Sequence, residues 1–150
     1  MHALQMSKNC KISQCMTTTA GAAGTTDING SAIDMSGWEG VLFIISFGAI
    51  VSGAVTSIKA QQDTASGMGS AADLLGTAQT IADTDDDKTF YIDIKNPRER
   101  YVRAVVDRGT QNATVGNITA IQYGPRTAPV AAHGTSVSGE SFVGVAEGTA

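Results

Sequence analysis

Charge is what this chain has least of. Asp, Glu, Lys and Arg make up 16% of its 150 residues, where soluble domains usually carry about a quarter. Gly, Ala, Ser and Thr take their place. A surface of small, weakly charged side chains suits a protein packed against partners better than a free monomer. The net charge is −4 and no Lys/Arg run occurs, which argues against a nucleic-acid binder with its basic footprint. Cys10 and Cys15 are the only cysteines. A Cys10–Cys15 disulfide would close a very small loop and stabilise little, and the two read as free thiols of a reducing compartment. Zinc needs about four ligands, and His2 and His133 are the only other soft candidates. Met1 to Met16 has no apolar core of the kind that marks a secretory signal.

Catalytic constellations are missing as well. His2 and His133 lie in segments with little structural propensity, so neither is expected beside a held nucleophile. There is no Gly-x-Ser-x-Gly elbow, no phosphate-binding glycine loop before a helix and no His-Glu-x-x-His. Asp83, Asp85 and Asp87 have the spacing that opens a calcium loop. The glycine expected next is Lys88, however, and the closing glutamate falls on Ile94. A solvated turn is the better reading. The expectation is a non-enzyme without metal, cofactor or small-molecule ligand.

One long uncharged run does exist. Val41 to Ile58 (VLFIISFGAIVSGAVTSI) reaches the length of a membrane-spanning helix, and a single-pass membrane protein is one alternative. The run is interrupted at Gly48 and at Ser52-Gly53, is rich in β-branched residues, and lacks flanking basic asymmetry. Two buried strands joined by a turn fit it better.

What is present is a succession of short strand signals. Glu39 to Phe47 is the strongest, with Val41, Phe43, Ile45 and Phe47 on one face and Leu42 and Ile44 on the other, so that both faces are candidates for cover. Gly53 to Gln61 reads as its partner strand. Ser70 can cap a helical turn over Ala71 to Leu75, stopped by Gly76. Thr77 to Ala82 is a weak strand. Lys88 to Lys95 alternates with Phe90, Ile92 and Ile94 inward. Arg100 to Asp107 and Asn117 to Tyr123 follow, and Ser141 to Val145 could add a short strand on another subunit. Residues 1–26 and 127–150 are low in charge and periodicity and read as arms that are flexible or held by a partner. The predicted fold is an all-β jelly roll or β-sandwich over 27–126, with about seven to eight short strands and one helical turn.

The densest charge lies in Asn96 to Arg108 (NPRERYVRAVVDR). Arg98, Arg100, Arg103 and Arg108 form either a partner-facing patch or a locally paired strand edge. Trp38, the lone tryptophan, is a core anchor or an interface anchor. Tyr123, Arg126, Val130, Phe142 and Val143 complete the candidate contact residues.

From Asp34 to Arg126 the chain resembles small proteins encoded with the major capsid protein of tailed bacteriophages. The residues that carry the likeness are Gly37-Trp38-Glu39-Gly40-Val41, Ser57 to Gln62 (SIKAQQ), Ala72 to Thr77 (ADLLGT), Asn96 to Arg103 (NPRERYVR) and Ile121 to Arg126 (IQYGPR), with the ending Glu147-Gly148-Thr149-Ala150. The resemblance implies a head decoration, or cement, protein. Its partners would be the major capsid protein and neighbouring copies of itself, as a dimer or trimer on capsid symmetry axes, and not nucleic acid or membrane. It would be made in the host cytoplasm and end on the outer surface of the virion. Another virion β-sandwich, from a tail or connector, is the nearest alternative.

Overall fold

The computed structural model describes residues 5–148. Within them the chain forms one short helix, α1 (Met6–Asn9), and ten strands. The strands are β1 (Cys10–Gln14), β2 (Ile28–Asn29), β3 (Ile33–Asp34), β4 (Trp38–Ile50), β5 (Val55–Asp63), β6 (Ala72–Asp73), β7 (Gln79–Ile81), β8 (Thr89–Lys95), β9 (Tyr101–Gly109) and β10 (Ala113–Pro125). One sheet has the order β1-β10-β4-β8. In the other, β9 and β5 are central, β2 and β3 share the outer side of β9, and β6 and β7 share the outer side of β5. All pairings are antiparallel. Counting β2/β3 and β6/β7 as interrupted single strands leaves eight, paired as in a jelly roll.

Strand periodicity accounts for the core. Val41, Phe43, Ile45 and Phe47 of β4 face inward with Ile92 and Ile94 of β8 and Ile118 and Ala120 of β10. Ile58 and Ala60 of β5 and Val102, Ala104 and Val106 of β9 meet them from the second sheet. Phe47 and Phe90 stack edge to face at 5.7 Å. In β10 the buried parity changes from Ala113 and Val115 to Ile118, Ala120 and Gln122. The register against β4 shifts between Val115 and Asn117, so a bulge at Gly116 lets one strand bury odd positions and then even ones.

Four sequence expectations are corrected. Residues 1–26 are not a loose arm where they are described: β1 pairs with β10, and Cys15 and Met16 are buried in the core. Beyond them Gly24 and Ala113 exchange backbone bonds, and Val115 N donates to Gly21 O at 2.8 Å. A Cβ on Gly21 would lie 1.9 Å from Val115 O. The small residues that looked like low propensity are what permit this close approach.

β5 is not the hydrogen-bonding partner of β4. The turn at 51–54 carries the chain into the opposite sheet, where β5 pairs with β9, and the two apolar faces meet across the core instead. Val41 to Ile58 is thus divided between strands of two sheets, which is incompatible with one spanning helix. No helix among the described residues is long and apolar enough to cross a membrane. The helical turn expected at Ala71 to Leu75 is absent. Ala72–Asp73 adds to the edge of β5 and Leu74 N donates to Ala60 O, because a ladder beside an existing strand avoids the nucleation cost of an isolated turn.

Finally, the 127–148 segment is not a loose arm either, and it forms no strand within the single chain. This segment lies along the free edge of β1, with Val130 N donating to Lys8 O and Gly134 N to Ile12 O, both at 2.8 Å. His2 and Thr149-Ala150 lie outside the described residues.

Candidate partner-binding surfaces

One end of the sandwich gathers four of the residues singled out in the sequence. The β3–β4 turn, the β8–β9 loop and the end of β10 converge there because β4 and β9 begin where β8 and β10 finish. Arg126 N donates to Gly37 O, Asn96 N to Glu39 O, and Met35 N to Arg100 O, at 2.7–2.9 Å. Gly37 adopts φ 87° at the tight turn. Trp38, Arg98, Arg100 and Arg126 line an open cleft of about 370 Å³ there. Trp38 is half-buried and packs against the core with part of its ring. Arg100 grips Asp34 with two bonds of 2.9 and 2.7 Å and lies 5.3 Å from the Tyr101 ring centre. That grip holds the Asp34 carboxyl below its usual range. Arg98 and Arg126 have no carboxylate within ion-pair distance among the described residues. An aromatic ring beside two uncommitted guanidiniums can take carboxylates and planar polar groups of a partner.

The other candidates lie elsewhere. Arg103 is on the outer face of the six-stranded sheet, where its guanidinium donates to Gln61 Oε1 at 2.7 and 2.8 Å. Arg108 is not a surface contact at all, being 8% exposed. It shares the inward parity of Val102, Ala104 and Val106, and its guanidinium donates to the carbonyls of Thr26, Ala22 and Ala113. Burial pushes its pKa down. Tyr123 packs over Gly40, where a Cβ would lie 2.2 Å from its ring, and donates to Asp93 at 2.7 Å. Burial and that carboxylate raise its hydroxyl pKa to about 12. Val130 is half-buried, while Phe142 and Val143 stand exposed.

The two outer faces of the sandwich differ in chemistry. On the six-stranded sheet, Lys59 bridges Asp73 and Asp107 at 3.2 and 3.4 Å, and Gln61 reaches Asp73. The polar groups there already satisfy one another. On the four-stranded sheet, register aligns Ile12, Ile121 and Leu42 in one row and Thr119, Ile44 and Tyr91 in the next. Leu42, Ile44 and Ile121 are only half-buried, and Tyr91 is exposed. No second layer covers this face among the described residues. A groove of about 570 Å³ runs over it, lined by Met6, Cys10, Leu42, Ile121 and Tyr123. The double apolar parity of β4 was the signal of this surface. The contribution of Ile12 and Ile121 could not be read without the register.

Comparison with known protein families, curated proteins and solved structures finds no match to this chain. The carboxylates of the acidic turn are engaged locally: Asp83 accepts from Gly53 N, Asp85 from Ala82 N and Lys88, and Asp86 from Ile50 N. Among the described residues no three His, Cys, Asp or Glu groups cluster to hold a metal. His133 Nδ1 accepts a bond from Ile12 N. Cys10 and Cys15 are free and buried, and burial raises the Cys15 thiol to about 11.

Proposed function

We propose that this chain is a structural virion protein that binds the outer surface of a tailed-phage capsid and stabilises it by bridging major capsid protein subunits. The observation that carries the reading is the contrast between the outer faces. One is a self-satisfied polar network; the other is a largely apolar sheet surface, and the tail adds exposed apolar side chains. That division suits a protein with one side against a partner and one toward solvent. The resemblance over Asp34 to Arg126 supplies the kind of partner. Jelly rolls recur in capsid proteins, although a fold alone does not choose a function.

In this reading the Trp38–Arg98–Arg126 end meets the capsid, the apolar sheet face packs against a capsid subunit or a neighbouring copy, and the sandwich acts without catalysis. A ligand that binds only the assembled shell shifts the balance against disassembly, and many symmetric copies multiply a modest contact. The test is thermal melting of purified heads with and without the protein. A raised melting temperature is expected, and Arg98→Glu with Arg126→Glu should diminish it while leaving the fold intact. Equal melting temperatures with and without protein sink the capsid role.

A further inference from the structure

The tail after β10 carries three large apolar side chains that stand mostly exposed among the described residues. Phe142 is 64% exposed, Val143 86% and Val145 71%. The segment is nevertheless placed. Gln5 Nε2 donates to Phe142 O at 2.5 Å, and the Ser7 and Ser141 hydroxyls are 2.6 Å apart. These bonds set the tip beside α1. Met6 of that helix is itself 69% exposed and forms one wall of the apolar groove on the four-stranded sheet. Groove and tip thus both border α1 on this surface, and no tip side chain lines the groove.

We propose that this surface joins two copies of the chain. The Phe142–Val145 tip of each copy seats in the Leu42–Ile121–Tyr123 groove of the other, about a two-fold axis. Three observations favour a second copy over an unrelated partner. Knob and hole are carried by the same chain, which is the condition for a self-complementary interface. The face lacks charge complementarity to offer elsewhere: Asp93, the one carboxylate lining the groove, is already bonded to Tyr123. The area also suffices. Each tip offers roughly 350 Å² of apolar side chain, and two reciprocal seats with the walls they cover reach on the order of 1,000 Å², the lower edge of specific interfaces.

The proposal deepens the reading of the chain as a binding protein by naming a partner for its apolar face. Its test is sedimentation of the full chain over a range of concentrations, with filtered NOE spectra of a mixture of methyl-labelled and unlabelled protein. A dimer is expected, with contacts between Leu42 and Ile121 methyls of one copy and the Phe142 ring of the other. Phe142→Ser with Val143→Ser removes only exposed side chains, so the fold should persist by circular dichroism while self-association weakens at least ~10-fold. A monomer at every concentration overturns the proposal. So does a dimer without those contacts, or contact only between a tip and its own groove. Head melting measured in parallel separates the two readings. A dimer that leaves heads unprotected upholds the seat and removes the capsid role, and a monomer that protects heads does the reverse.

Discussion

Replacing Arg108 by Met should loosen the 17–27 segment without dismantling the sandwich. The guanidinium donates to Thr26 O at 2.6 Å, to Ala22 O at 2.8 Å and to Ala113 O at 2.8 Å. It thus ties the 17–27 segment to the β9–β10 corner. Met keeps the length and apolar stem of the side chain and removes all three bonds. The carbonyls of Ala22 and Thr26 belong to exposed residues and can take water, and Ala113 O also accepts from Gly24 N. The gross loss is then about 4 kcal/mol, from hydrogen bonds by a charged donor at a little over 1 kcal/mol each. Relief of the desolvated guanidinium offsets about 1–2 kcal/mol. The net cost of about 2–3 kcal/mol is a sizeable part of a domain's stability and lowers Tm by roughly 5–10 °C. Urea denaturation measures the total, and amide hydrogen exchange locates it. Protection should fall first at Gly21, Gly24 and Ala113, whose amides or carbonyls hold the segment. A change under about 0.5 kcal/mol with unaltered exchange over 17–27 would refute the view that Arg108 is an internal strut. Arg108→Lys should fall between the two, because one ammonium cannot reach three diverging carbonyls as a planar fork does.

Two further outcomes follow from the same packing. Gly21→Ala places a methyl 1.9 Å from Val115 O and 2.4 Å from Met16 Cε, so a backbone shift is unavoidable and a loss of about 3 kcal/mol in urea denaturation is expected. The buried Asp63 carboxylate accepts from Ala65 N at 3.0 Å and Ser70 N at 2.8 Å, and these amides lower its pKa. With the folded value below the unfolded one, its contribution is complete above the unfolded pKa near 4 and disappears as pH falls through the folded value. Asp63→Asn should therefore flatten part of the acid side of the stability–pH curve, and an unchanged slope would assign that slope to other carboxylates.

Reading strands from the sequence worked where one face of a strand is buried and the other is wet. Lys88 to Lys95 alternates cleanly, and β8 buries Ile92 and Ile94 as its pattern implies. Reading failed where backbone contacts, not side-chain period, hold the chain. The 15–27 segment has no periodicity to detect, because Gly21 is there for closeness to β10, and the segment is held by backbone bonds and not by an apolar face. Parity also went unused at Arg108. Counting in twos from Val102 puts it inside, but charge suggested a surface patch. The candidate site was legible in its residue types, Trp38, Arg98, Arg100 and Arg126, and not in its membership. Those residues are 2 to 88 positions apart in the chain, and only the meeting of three chain ends joins them while sending Arg103 to a different face.

The sequence by itself determined that this chain is built of short strands, that β4 is its most apolar element, and that charge is scarce. These are local properties, set by the two-residue period and by turn-forming residues. Tertiary structure alone decided which strands share a sheet. Consecutive strands β4 and β5 part at the turn 51–54, while β1 and β10, from opposite ends of the chain, become neighbours. Both outcomes serve the burial of apolar faces against each other, and burial depends on distance in space and not along the chain. The same pairing decided the fate of the missing charge. It collected polar groups into a network on one outer face and left the other largely apolar.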